Sequence, residues 1–269
     1  MTDLILTGAS RGIGSALAVA LSHGKKYRII LVARTAHRLD ALSAQVRHRD
    51  SQVLSYVADL SLVEEARSLG ERLAEIVKPG ATLVHNAGVW PQKKELTFEG
   101  FEVGFATNCL GPLALQKPLL EKKLLSRVLV IGAGVMVKGR FDADRTPRGA
   151  DFSPLRTYCN TKLAMASALH DAAAAYPEVD MAAVHPGIVR TELGAREGML
   201  GSVLSLVKRT WDTPSNCASR LVRLLGAPRW STEPGQPRWF VEEKAEPWPA
   251  AVTDSATRTA VRRATSAVL

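Results

Sequence analysis

Cysteine is scarce: Cys109, Cys159 and Cys217 are the only three among 269 residues. They form no CxxC pair and no zinc spacing, so neither a disulfide framework nor a zinc site is expected. Free thiols in a reducing cytosol fit such sparse usage. No apolar run reaches the ~20 residues that cross a bilayer, which excludes a membrane span. The chain enters an apolar strand almost at once, leaving no room for a signal segment, so a cytoplasmic location is expected. Lys and Arg outnumber Asp and Glu by 35 to 26, a net charge of +9. No Lys/Arg run concentrates that charge, so a solvated surface is expected rather than nucleic-acid binding. His23, His37, His48, His85 and His170 show no metal spacing, and no metal site is expected. No Pro/Ser-rich linker and no internal repeat divides the chain, so 1–269 reads as one domain.

What is present is alternation. Apolar strands are expected at 4–6, 29–32, 52–57, 82–84, 127–131 and 181–184, with a last edge strand at 238–241. Between them lie helical segments. In the first, Ile13, Ala16, Leu17, Ala20 and Leu21 recur at helical spacing. Others are expected at 64–77, at 158–176 and at 215–225, with one long helix over 99–120. Continuous apolar strands alternating with helices mean a parallel sheet covered on both faces. The fold class is therefore α/β: a single doubly wound (Rossmann) domain with a mostly parallel seven-stranded sheet flanked by helices. The C-terminal extension, 227–269, lacks clear periodicity and is expected to wrap the surface, with a short helix near 258–267.

Three motifs carry chemistry. Thr7-Gly8-Ala9-Ser10-Arg11-Gly12-Ile13-Gly14 joins the first strand to the first helix. There, glycines let backbone approach a pyrophosphate, and the helix N-terminus offers N–H donors. Asn86-Ala87-Gly88 follows the fourth strand. Tyr158-Cys159-Asn160-Thr161-Lys162 places a phenol and an ammonium at i and i+4, on one side of a helix. A phenol with a reference pKa of ~10 is a poor proton donor or acceptor near neutrality, and an adjacent ammonium is expected to lower it. Taken in this order and spacing, the three motifs resemble the short-chain dehydrogenase/reductase family over roughly residues 3–241. The segment 152–164 and Arg238-Trp239-Phe240-Val241 resemble its retinol-dehydrogenase-like branch.

The resemblance implies an NADP(H) cofactor and site residues. Tyr158, Lys162 and Asn108 would be catalytic, Asn108 holding a water that relays protons to Lys162. Gly8, Ser10, Arg11, Gly12, Ile13, Gly14, Asn86, Ala87 and Gly88 would bind the cofactor, as would Tyr158 and Lys162. So would Asp59 and Leu60 at the adenine, and Pro186, Gly187, Val189 and Thr191 at the nicotinamide. The second strand ends at Ala33 rather than at an acidic residue, and Arg34 follows it. Arg11 and Arg34 would thus meet a ribose 2′-phosphate and favour NADP over NAD. A substrate lid would occupy 192–212, and its apolar residues at 193–208 suit a hydrophobic small-molecule substrate. His185, before Pro186-Gly187, reads as the end of a strand.

One position departs from the family pattern. Gly132-Ala133-Gly134 follows the fifth strand, so the family's catalytic Ser is replaced by Ala133. Losing one comparable donor costs roughly 3–4 kcal/mol of transition-state stabilisation, and Thr157 and Ser153 are the candidate replacements. Three readings follow: an NADPH-dependent carbonyl reductase or alcohol dehydrogenase acting on an apolar or ring-bearing compound; a non-catalytic NADP(H)-binding sensor or partner protein; and a non-redox, lyase- or isomerase-like member. A homo-oligomer is compatible with each.

Overall fold

The computed structural model describes residues 1–24, 26–47, 52–190, 211–266 and 268. Eight strands form one sheet: β1 (Thr2–Thr7), β2 (Tyr27–Ala33), β3 (Val53–Val57), β4 (Ala81–His85), β5 (Leu125–Ile131), β6 (Asp180–His185), β7 (Arg238–Val241) and β8 (Lys244–Glu246). Their order is β3-β2-β1-β4-β5-β6-β7-β8. Every neighbouring pair is parallel except β7 and β8. The expected count of seven is therefore corrected to eight. The segment 238–241 is not the edge, because the short hairpin to β8 covers it.

The strand order reverses between β1 and β4, which opens a crevice at their carboxyl ends. Helices cover both faces. On one lie α1 (Gly12–Ser22), α2 (Ala36–Arg47) and α7 (Pro214–Gly226). Leu17, Leu39 and Leu221 from these helices pack with Leu6, Leu31 and Leu129 of the sheet. On the other lie α3 (Val63–Ala74), α5 (Gly111–Glu121) and α6 (Pro154–Ala175). There Leu69, Leu115 and Leu163 pack against Ile5, Leu83 and Val130. This two-sided burial is why the strands read as unbroken apolar runs.

The long helix expected over 99–120 is broken into three pieces. A single turn, α4 (Val103–Phe105), leads into a π-helical turn at Ala106–Leu110 and then into α5. The residues before it form a bridge between Leu96 and Glu102 instead of helix. The C-terminal extension does more than wrap the surface. It supplies β7, β8, α8 (Ala250–Thr253) and α9 (Ser255–Ser266), and Val252 and Val261 enter the core beside α6. Among the described residues no helix is long and apolar enough to cross a membrane. Of the expected lid, 192–210 lies outside the described residues.

Candidate active site

The loop between β1 and α1 sits over the crevice. Gly8 and Gly12 adopt φ of 64° and 55°, conformations that favour glycine. A β-carbon on Gly14 would lie 2.3 Å from the Gly8 carbonyl oxygen, and one on Gly8 would lie 2.6 Å from Ala87 Cα. The close approach of backbone to backbone thus requires both glycines. Arg11, the residue before α1, makes no side-chain cap, and the first turn carries no acidic residue. The N–H groups that open α1 are thus suited to an anion. Ser10 and Ile13 are half-buried at this turn, and Arg11 is exposed.

Asn86 and Ala87 act on this loop directly. The Asn86 side-chain amide donates to the Thr7 and Gly8 carbonyls, both at 3.0 Å. The Asn86 and Ala87 N–H groups donate to Thr7 Oγ1 at 3.0 and 3.1 Å. The strand-four motif therefore fastens the glycine loop in place. Gly88 comes next and leaves a gap: a β-carbon there would sit 3.4 Å from Asn108 Oδ1 and 3.5 Å from Lys162 Nζ.

The other end of the crevice meets the end of β2. Arg34 projects with its side chain 60% exposed and lies 3.6 Å from an Asp59 carboxylate oxygen. Asp59 also accepts from the Ser61 N–H at 2.9 Å. Leu60 is buried, and its side chain belongs to the core below α5.

Tyr158 and Lys162 lie on one side of α6. Tyr158 is 7% exposed, and its ring stacks on Trp90 with centroids 4.8 Å apart and planes 13° from parallel. The Trp90 indole N–H donates to the Pro154 carbonyl at 2.8 Å, which fixes the stack to the start of α6. Lys162 Nζ donates to the Ile131 carbonyl at 2.9 Å and lies 5.9 Å from the Tyr158 ring centroid. Burial pushes the Tyr158 phenol up to about 12, with the neighbouring Cys159 adding to it. Burial also brings the Lys162 ammonium down to about 8. The expected lowering of the phenol by the ammonium is therefore not found in this state. Removal of Tyr158 from water outweighs a cation at this distance, and the hydroxyl is held protonated.

Asn108 lies in the π turn and bridges two elements. Its Oδ1 accepts from the Val89 N–H at 2.8 Å, and its amide donates to the Val89 carbonyl and to Thr161 Oγ1, both at 2.9 Å. Thr161 Oγ1 in turn donates to the Tyr158 carbonyl at 3.0 Å. This joins the segment carrying Trp90 to the helix carrying Tyr158 and Lys162. π turns often occur at functional sites because they displace one side chain from the regular ladder.

Ala133 follows β5 and precedes a 3₁₀ turn at Gly134–Lys138. Of the candidate replacements, Thr157 is buried, and its hydroxyl accepts from the Ser153 N–H at 3.3 Å, a contact at the start of α6. Beyond β6, Pro186 accepts from Arg220 at 3.0 Å, and Gly187 turns the chain at φ 84°. Val189 pairs with Asp212 and packs beside α7. Thr191 lies outside the described residues. Among the described residues no cluster of three or more His, Cys, Asp or Glu could hold a metal. The sequence reading missed Trp90; its place two residues after Asn86-Ala87-Gly88 was the available signal.

A family model described as short chain dehydrogenase matches residues 3–142. Human retinol dehydrogenase 13 is 30% identical over 210 residues, covering 75% of this chain and 63% of that protein. The "Putative daunorubicin C-13 ketoreductase DnrU" of Streptomyces sp. strain C5 is 29% identical over 227 residues, covering 84% of this chain and 78% of that protein. Among solved structures, the alcohol dehydrogenase of the archaeon Thermococcus sibiricus, complexed with 5-hydroxy-NADP, superposes with a TM-score of 0.68 at 23% identity. It covers 92% of this chain and all of that one.

Proposed function

The chain belongs to the short-chain dehydrogenase family of oxidoreductases, in its retinol-dehydrogenase-like branch, and we propose that it is an NADPH-dependent carbonyl reductase for an apolar or ring-bearing substrate. The observation that carries this reading is the pairing of Tyr158 and Lys162 on α6, with the phenol buried and protonated. A phenol hydroxyl at this place can donate its proton to a carbonyl oxygen as the carbon is reduced.

The residues present fit a phosphorylated dinucleotide. The glycines of the β1–α1 loop leave backbone room that a β-carbon would fill, and the first turn of α1 carries no competing carboxylate. Arg11 and Arg34 supply positive charge for a 2′-phosphate. Asp59 and the Leu60 backbone would border the adenine, and Pro186, Gly187 and Val189 would border the nicotinamide. Bound there, the reduced cofactor supplies a hydride to the carbonyl carbon. Tyr158 gives its hydroxyl proton to the carbonyl oxygen. Lys162 Nζ, beside the opening at Gly88, favours the phenolate that remains and would hold the ribose hydroxyls of a bound cofactor. Asn108 holds the Trp90 segment and α6 in register around that proton.

An apolar substrate suits the surroundings. Val137, Leu155 and Ile188 stand 54%, 49% and 62% exposed just after Ala133, just before Tyr158 and just after Gly187. The flat Trp90 indole lies on Tyr158. Two of the matching relatives are named for daunorubicin and for retinol, both ring-bearing compounds.

Ala133 favours a second reading, in which the protein binds NADP(H) without redox turnover, as a sensor or as a lyase- or isomerase-like member. NADPH oxidation against a carbonyl panel separates the two. Activity that falls by ~10²-fold or more in Tyr158→Phe supports the reductase; turnover equal in both proteins refutes it.

A further inference from the structure

A carbonyl oxygen gains negative charge as its carbon is reduced, and a second fixed donor stabilises that charge. Ala133 offers none, and Thr157 is 2% exposed, with its oxygen tied to the Ser153 N–H at the start of α6. Another donor-bearing side chain reaches the same edge: His185, the last residue of β6.

Sheet register puts His185 there. Ile131 pairs with Val184, and the Gly132 N–H donates to the Val184 carbonyl at 2.8 Å, carrying the ladder one residue further. Alternation along the strand fixes the face. Val184 packs with Leu129 and Ile131 on the side of α1 and α7. Ala183 packs with Val130, Leu163 and Ala164 on the side of α6. His185, two residues beyond Ala183, therefore faces the layer that carries Tyr158 and Lys162.

The ring lies directly against the residue that follows Ala133. A β-carbon on Gly134 would be 3.2 Å from His185 Cδ2 and 3.3 Å from Nε2. Glycine at 134 is thus what admits the imidazole beside the position without a hydroxyl. Burial, partly opposed by the nearby Glu242 carboxylate, keeps the His185 pKa below its ordinary value, so one ring nitrogen carries the proton at neutral pH. Nδ1 is buried with no partner. A buried N–H without an acceptor is rarer and costlier than an idle lone pair. The proton therefore belongs on Nε2, the nitrogen near Gly134. Glu242 is held against the same turn by its own N–H, which donates to the His185 carbonyl at 2.7 Å.

We propose that His185 is a catalytic residue, whose Nε2–H donates to the substrate carbonyl oxygen beside Ala133 in place of a serine hydroxyl. The assignment rests on the reductase reading. No bond forms or breaks at His185: its proton stays on the nitrogen, and the proton transferred is that of Tyr158.

The test is single-turnover hydride transfer with NADPH and a carbonyl from the panel, in the native protein, His185→Phe, His185→Gln and His185→Phe/Ala133→Ser. His185→Phe is expected to lose ~10²- to 10³-fold in rate, with NADPH affinity within about threefold of native. Adding Ala133→Ser is expected to recover at least about tenfold of that loss, a rescue that a purely structural role for the ring would not give. His185→Gln, which keeps a donor, should fall between. A second readout needs no variant: the His185 Nε2 nitrogen resonance of the native protein should move when alcohol product joins the NADP⁺ complex. Should His185→Phe fail to fold, that resonance decides, and its indifference to product overturns the proposal. Native rates in His185→Phe, with Tyr158→Phe inactive, overturn the His185 assignment alone; so does a loss that Ala133→Ser does not rescue. A native protein inactive across the whole panel overturns the reductase reading and this assignment together.

Discussion

At the scale of single residues, the proposed preference for NADPH rests on Arg11 and Arg34. Arg34 already has an anionic neighbour, Asp59 at 3.6 Å, but an exposed pair of this kind is worth about 0–1 kcal/mol. Turning the guanidinium to a phosphate costs little and gains charge-assisted bonds of roughly 1.5–3 kcal/mol each. The double variant Arg11→Ala/Arg34→Ala should therefore weaken NADPH by about 10²-fold or more, while NADH changes by only a few fold. Calorimetric titration of both cofactors reads this directly, and equal losses would remove the two arginines from phosphate recognition. Their positions were legible in the sequence because the second strand ends visibly at Ala33. The state of Tyr158 was not: the i, i+4 spacing shows a cation nearby but says nothing of Trp90, which lies 68 residues earlier and takes part in burying the phenol.

At the scale of elements, the π turn at Ala106–Leu110 was the least legible feature. The apolar pattern of 99–120 is continuous enough to read as one helix, and only the polar Asn108 within it hints at a break. The turn exists alongside a tertiary bond set: Asn108 satisfies both backbone groups of Val89 and reaches Thr161. Periodicity reports which face is buried, not which turn carries an extra residue. In contrast, the β1–loop–α1 unit and α6 were readable, because their signals are local: a glycine turn between strand and helix, and a stripe of apolar positions. Asn108→Ala would leave the Val89 N–H and carbonyl without partners. Each costs about 1–3 kcal/mol where buried, and Val89 is half-buried, so a loss of about 2–4 kcal/mol is expected. Urea unfolding followed by tryptophan fluorescence should show it, since Trp90 is the next residue. An unmoved midpoint would mean that the turn is held by packing alone.

For the whole molecule, the extension after α7 completes the layer that holds the site. Trp239 sits in the core, Trp248 packs on it with centroids 5.5 Å apart, and the His170 ring of α6 meets Trp248 edge-on at 4.6 Å. Arg258 and Arg262 of α9 both bind Asp171 of α6, at 2.5 and 2.9 Å. Val252 and Val261 are fully buried against the same helix. α8 and α9 thus brace the outer side of the helix that carries Tyr158 and Lys162. Removing 249–269 would strip both valines from the core at roughly 1.5–3 kcal/mol each and leave Asp171 without its arginines. A total of several kcal/mol corresponds to a Tm lower by about 10 °C or more in a chain of this size. The melt should be followed by circular dichroism with and without NADPH. Because the phosphate loop rests on β1, β4 and α1, on the far side of the sheet from α9, the cofactor should still raise the Tm of the shortened protein. A Tm within about 2 °C of the full chain would show that the extension only wraps the surface. A shortened protein that melts early and no longer responds to NADPH would instead show that α8 and α9 support the cofactor crevice itself.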